Sequence, residues 1–142
     1  MKALVTGGAG LIGSHIVDLL LKKGYEVRIF DNLEPQTHLE GKPSWIPKEA
    51  EFIKGDMRNE KDLELALKGI DIIFHEAAYG GFAPEIAKMT DVNALGSAKM
   101  FEIIRNKRLD IKKIITASSQ AVYGEGKYYC QEHGIQHPPL RS

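Results

Sequence analysis

Thr6-Gly7-Gly8-Ala9-Gly10-Leu11-Ile12-Gly13 stands where an apolar run, Ala3-Leu4-Val5, gives way to a stretch of helical period from Leu11 to Lys23. A short apolar run stopped by glycines reads as a buried strand, Lys2 to Thr6. The glycines between strand and helix then have separate tasks. Gly7 permits a tight turn, Gly10 lets the backbone approach a ligand without a side-chain clash, and Gly13 lets the helix pack closely on the sheet. The unpaired N–H groups and positive end of such a helix, at Leu11 and Ile12, suit a pyrophosphate.

Working outward, the helix ends in Lys22-Lys23 with Gly24 as its stop. Its inner face is expected to carry Ile12, Ile16, Leu19 and Leu20, with His15, Asp18 and Lys22 on or near the other. Val27 to Phe30 reads as a second strand, closed by Asp31-Asn32. Residues 33 to 50, with Pro35, Pro43 and Pro47, read as loop. Glu51 to Lys54 is a third strand, and Asn59 caps a helix from Glu60 to Lys68. Asp71 to Phe74 is a fourth strand. Pro84 opens a long helix to about Lys107, with Met89, Val92, Gly96, Met100, Ile103 and Ile104 as its inner stripe. Ile114 to Ala117 is a fifth strand, and the remainder to Ser142 reads as loop. Alternating strands and helices predict an α/β fold of the Rossmann type: a doubly wound parallel sheet in the order 3-2-1-4-5, with a crevice at the carboxyl ends of the strands.

Asp31, at the end of strand two, follows Gly13 by eighteen positions. Its carboxylate can accept hydrogen bonds from ribose hydroxyls and repels a 2′-phosphate, which favours NAD over NADP. Arg28 lies close in sequence and leaves the alternative open. Asp56 follows strand three and so faces the same crevice as Asp31, either as a site residue or as a turn residue. His75 ends an apolar strand and reads as a satisfied core histidine. Asn93 lies on the helix stripe that faces the sheet, where burial demands partners for its amide; bracing and cofactor positioning both fit. Ser119 lies at the mouth of the crevice, able to donate to a substrate oxygen.

Nineteen basic residues balance nineteen acidic ones in 142, so the chain lacks the electrostatic footprint of a nucleic-acid or membrane-surface binder. A single cysteine, Cys130, offers no internal disulfide, and no apolar run is long enough for a signal peptide or a membrane span. A cytoplasmic location is the expectation.

Taken together, the motifs resemble the extended short-chain dehydrogenases/reductases, specifically the NAD-dependent nucleotide-sugar epimerases and dehydratases, over the whole chain. Thr6 to His15 is similar to the family's glycine signature and Asp31-Asn32-Leu33 to its ribose site. Gly55-Asp56-Met57-Arg58 resembles the adenine-contacting segment, and His75-Glu76-Ala77-Ala78 the strand end that lies against the cofactor. Val92-Asn93-Ala94-Leu95-Gly96-Ser97 resembles the central-helix motif, and Ser118-Ser119-Gln120-Ala121-Val122-Tyr123-Gly124 the active-site segment after strand five. The resemblance implies cofactor contacts from Gly7, Gly10, Leu11, Ile12, Gly13, Asp31, Asn32, Asp56, Met57, Ala77, Ala78, Asn93 and Ser118, and a catalytic role for Ser119; no metal site is expected.

It further implies hydride transfer between a sugar and NAD by a Tyr-x-x-x-Lys helix. Tyr123-Gly124-Glu125-Gly126-Lys127 has that spacing, but two internal glycines make it a poor helix, so the pair is expected beyond residue 142. On that reading residues 1–142 are the N-terminal part of the NAD-binding domain in a shortened chain or a partial gene product, without the C-terminal substrate domain. It binds NAD but does not turn over a sugar, and an uncovered fifth strand favours self-association. The intact enzyme is expected to be a homodimer acting on a nucleotide sugar as a 4-epimerase. A 4,6-dehydratase is disfavoured by Gln120, where an acidic residue is expected. A non-catalytic dinucleotide-binding module is the alternative of another class. The stretch from Gly124 to Gly134 is an insertion that resembles a subgroup similar to dTDP-L-rhamnose 4-epimerases, in which further cysteines follow. Cys130 and His133 have the spacing of half a zinc site; two ligands are too few, and they read as a free thiol and a surface imidazole.

Overall fold

A computed structural model describes residues 1–81, 85–119, 122, 124 and 126–137. Its strands are β1 (Lys2–Thr6), β2 (Glu26–Asp31), β3 (Glu51–Lys54), β4 (Ile72–His75) and β5 (Lys113–Thr116). They form one parallel sheet in the order β3-β2-β1-β4-β5. The expected fold class and strand order are those found. Within β1, Ala3 and Val5 face one side and Leu4 the other, and all three are fully buried. Helix α1 (Leu11–Lys22) covers the first side through Val17 and Leu20, which pack with Val27 and Ile29. Helices α2 (Glu60–Leu67) and α4 (Gly96–Asn106) cover the second, where Leu4, Phe30, Leu63, Ile73 and Met100 form the larger cluster. Apolar burial on both faces of the central strand explains its continuous hydrophobic run.

Three expectations are corrected. First, the inner face of α1 is Gly13, Val17 and Leu20, while Ile12 and Leu19 are mostly exposed. The reason is Gly13 itself. A Cβ there would lie 2.2 Å from the Gly7 carbonyl oxygen, so the helix makes its closest approach at a residue that a hydrophobic count ignores. Second, the central helix is not uniform. A short α3 (Ile86–Met89) passes into a π-helical turn, Thr90–Leu95, before α4 resumes. Such widened turns re-aim side chains and recur at functional sites. Val92, Gly96, Met100 and Ile103 are buried as expected, but Asn93 is exposed. Pro84, the expected helix start, lies outside the described residues. Third, the region read as loop after β5 contains a hairpin, β6 (Tyr128–Cys130) paired antiparallel with β7 (Gly134–Gln136).

Arg28 also finds its role here. Its side chain lies on the α2 side of the sheet, where Nη1 donates to the carbonyls of Ala66 at 2.8 Å and Lys68 at 2.7 Å, and Nε to Glu51 at 3.0 Å. A cation on the carbonyl end of a helix is favoured by both hydrogen bonding and the helix dipole. So committed, Arg28 does not belong to the ribose site. Asn59 caps α2 as expected, accepting from the Lys61 N–H at 3.0 Å.

Candidate functional site: the crevice at the strand ends

The carboxyl ends of β1, β2, β3 and β4 converge on a cavity of about 120 Å³. Gly7 and Gly10 form its floor. Gly7 has φ +67°, and an added Cβ would strike the backbone of Ala77 at 2.8–2.9 Å, so the turn and the end of β4 are in backbone contact. The first intrahelical bond of α1 runs from Ser14 N–H to the Gly10 carbonyl at 2.9 Å. Leu11, Ile12 and Gly13 therefore present the helix-start amides, with no side-chain cap at Gly10. The Leu11 and Ile12 side chains point to solvent.

Asp31 is buried beside this floor. Its Oδ2 accepts the Ala9 N–H at 3.0 Å and its Oδ1 the Leu33 N–H at 2.8 Å. The carboxylate thus ties the glycine turn to the loop after β2, and each oxygen keeps acceptor capacity on the cavity side. Asp56 lines the cavity too, with Gly55 and Met57. Its carboxylate is gripped by Arg58, with Nε to Oδ1 at 2.9 Å and Nη2 to Oδ2 at 2.7 Å, and Asn32 donates to Oδ2 at 3.2 Å. The guanidinium holds the Asp56 carboxyl far below the usual carboxylate range. Asn32 and Asp56, expected separately, form one wall.

Ala77 and Ala78 line the opposite side with Glu76, whose carboxyl is pushed up by burial. Asn93 braces this wall: its Oδ1 accepts the Tyr79 N–H at 2.7 Å and its Nδ2 donates to the Tyr79 carbonyl at 2.9 Å. Of the two roles open for Asn93, bracing is what the geometry displays.

Behind the wall, His75 is fully partnered. Ser97 donates its hydroxyl hydrogen to the Asn93 carbonyl at 2.6 Å, so Ser97 Oγ accepts from His75 Nε2–H at 2.8 Å. His75 Nδ1 is left to accept the Thr6 hydroxyl at 2.7 Å, while Thr6 Oγ1 accepts the Ala77 N–H at 3.2 Å. The chain of bonds selects the neutral Nε2–H tautomer. Burial lowers the pKa of His75, in the same sense.

Ser118 and Ser119 follow β5 and are exposed; neither lines the cavity. The Ser119 carbonyl accepts the Val122 N–H at 3.2 Å. Gln120, Ala121, Tyr123 and Glu125 lie outside the described residues, and with them the rejected Tyr-x-x-x-Lys string. Cys130 Sγ approaches His133 Nδ1 at 3.4 Å, and among the described residues no three metal-ligating side chains gather. No helix among them is long and apolar enough to cross a membrane.

Sequence reasoning missed the loop side of the crevice. Glu34, Thr37 and His38 line the cavity, and His38 is buried with Nε2 3.9 Å from Asp31 Oδ1. They sit in an aperiodic, proline-bearing stretch, where only their position just after Asp31 was a signal.

Comparison with known proteins bears on this geometry. The profile of the NAD dependent epimerase/dehydratase family matches residues 3–141. A protein of Methanocaldococcus jannaschii provisionally named UDP-glucose 4-epimerase is 41% identical over 131 residues, which cover 88% of this chain and 40% of that protein. The dTDP-L-rhamnose 4-epimerase of Burkholderia thailandensis is 31% identical over 146 residues, covering 99% of this chain and 40% of its own. Among solved structures, the Thermus thermophilus UDP-glucose 4-epimerase in complex with NAD superposes with a TM-score of 0.67 at 35% identity, over 77% of this chain and 35% of that one. The chain therefore spans about two fifths of the length of these two curated relatives.

Proposed function

Because this chain belongs to the NAD dependent epimerase/dehydratase family, we propose that it forms the NAD-binding portion of a nucleotide-sugar 4-epimerase. The observation that carries the reading is the pairing of an uncapped α1 N-terminus with a buried Asp31 carboxylate across one glycine turn. Gly10 fits a close-lying ligand: an added Cβ would meet only the Gly7 oxygen, at 3.3 Å, so the rest of its surroundings are open. The α1 amides at Leu11, Ile12 and Gly13 take the pyrophosphate. Asp31 accepts from the adenosine ribose hydroxyls and excludes a 2′-phosphate. The Asp56–Met57 segment and Asn32 border the adenine, and Ala77 and Ala78 pass along the dinucleotide with small side chains. When bound, NAD supplies a reversible hydride acceptor for the sugar carbon. Ser119 donates to the reacting oxygen, and Ser118 borders the cofactor at the same strand end.

The finer assignment, to enzymes like the dTDP-L-rhamnose 4-epimerases, is supported by the Gly124–Gly134 insertion, which builds the β6–β7 turn. It is supported as well by the reach of that relative's match over 99% of the chain. A longer form of the enzyme that epimerises UDP-glucose but not dTDP-L-rhamnose refutes it.

Calorimetric titration with NAD and NADP tests the core of the proposal. NAD is expected to bind and NADP to bind at least about tenfold more weakly. Asp31→Ala, which removes charge-assisted hydrogen bonds, is expected to weaken NAD by about 10- to 100-fold. Absence of NAD binding overturns the cofactor site, and equal affinity for the two overturns the role of Asp31.

A further inference from the structure

Lys88 stands between the two walls of the crevice. Its Nζ lies 2.9 Å from Glu34 Oε1 on the β2 side and 4.1 Å from the centroid of the Tyr79 ring on the β4 side. Both Glu34 and Tyr79 line the cavity. A second contact crosses nearby, from Gln36 Nε2 to the Gly80 carbonyl at 3.2 Å. The two walls are not equally secured. Asn93 holds both backbone groups of Tyr79, and the Tyr79 hydroxyl donates to Glu85. The loop from Leu33 to His38 is held by the Lys88 and Gln36 contacts, by Leu33 N–H on Asp31, by buried His38 lying 3.9 Å from Asp31 Oδ1, and by local turn bonds from Thr37 and His38 to the Glu34 carbonyl.

We infer that Lys88 latches the crevice by holding Glu34 against the Tyr79 wall, and that the 33–38 loop swings outward to admit a dinucleotide. The inference rests on the reading of this crevice as the cofactor site. Three further observations carry it. Glu34, Thr37 and His38 of the loop line the cavity beside Asp31, so the position of the loop sets the width of the crevice. Leu33, at the base of the loop, has φ +56°, a left-handed conformation that a leucine adopts only under constraint. His38 Nδ1, at the loop's far end, is buried without a hydrogen-bond partner among the described residues. The loop thus has a left-handed leucine at its base and a buried nitrogen at its far end that opening would expose to water. A part-exposed ion pair is a contact of modest strength, suited to opening.

Two measurements on the 142-residue chain test the latch. In ligand-free protein, amide hydrogen exchange at Leu33, Thr37 and His38 reports loop opening directly. Glu34→Gln and Lys88→Met are each expected to raise it about three- to fivefold, the size of a part-exposed ion pair, while β1 amides stay unchanged. Salt at 1 M is expected to raise the wild-type rate in the same way. Trp45, the only tryptophan, donates from Nε1 to the Ala9 carbonyl at 3.3 Å and so reports on the glycine turn. Stopped-flow mixing with NAD, followed by Trp45 fluorescence, should show faster association and faster release in both variants. Unchanged exchange at the three amides in both variants overturns the latch. Raised exchange without any NAD binding upholds the latch and removes the cofactor reading instead.

Discussion

The glycine turn and the segment after β5 lie at the same end of one sheet and are built in opposite ways. At the turn, Gly7 meets the Ala77 backbone, Ala9 is held by Asp31 and Trp45, and the strand beneath is wholly buried. After β5, Ser118 and Ser119 are exposed, and Tyr129 and Ile135 of the hairpin are more than half exposed. Sheet order is the cause. β1 has paired neighbours on both sides and helices on both faces, whereas β5 is paired only with β4 among the described residues. The lesson is that the glycine turn is over-determined by its own contacts, while the serine segment follows a strand that the sheet supports less fully.

Substitutions can break this contrast. The largest effect is expected at Gly13→Val, where a side chain would meet the Gly7 and Gly8 backbone at 2.2–2.9 Å. We expect it to cost more than about 3 kcal/mol in chemical denaturation, against less than about 0.5 kcal/mol for Ser118→Ala. Comparable losses would mean that the serine segment is anchored as firmly as the turn. Leu4→Ala, at a fully buried position, is expected to cost about 3 kcal/mol, and Ile135→Ala on the hairpin under about 0.5 kcal/mol.

The smallest effect sharpens the comparison by pH. Burial lowers the pKa of His75 from its ordinary 6.5, so the folded state favours the neutral imidazole. Its contribution is therefore complete above pH 6.5 and is lost as pH falls below it, because the unfolded chain binds the proton first. The loss should not exceed about 1.4 kcal/mol per pH unit. His75→Gln is expected to flatten the stability profile just below pH 6.5; an unchanged profile would show that His75 is not the group that titrates.

Much of the site was legible because its signals are local. The glycine spacing, Asp31 at a strand end and the Asn59 cap each depend on a few consecutive residues. The α1 face was misjudged because hydrophobic periodicity gives weight to Ile12 and Leu19 and none to Gly13, whose missing side chain sets the contact. The π turn at Thr90–Leu95 left no periodic trace, yet it is the segment that carries Asn93 onto Tyr79. The partnership of Glu34 and Lys88 was invisible for a different reason: 54 residues separate them, and neither lies in a motif.

By itself, then, the amino-acid sequence determined the alternation of strands and helices, their order in the sheet, the glycine turn and the acidic residue that serves it. These follow from backbone freedom and short-range periodicity. Only the tertiary structure decided that Arg28 caps a helix rather than meeting a ribose, that Asp56 is gripped by Arg58, that His75 is locked between Thr6 and Ser97, and that Lys88 spans the crevice. Apart from the local Asp56–Arg58 grip, those are pairings across 22 to 69 residues. They exist because parallel strands bring distant loops to one end of the sheet, where burial leaves each polar group to find a partner or bear the cost of having none.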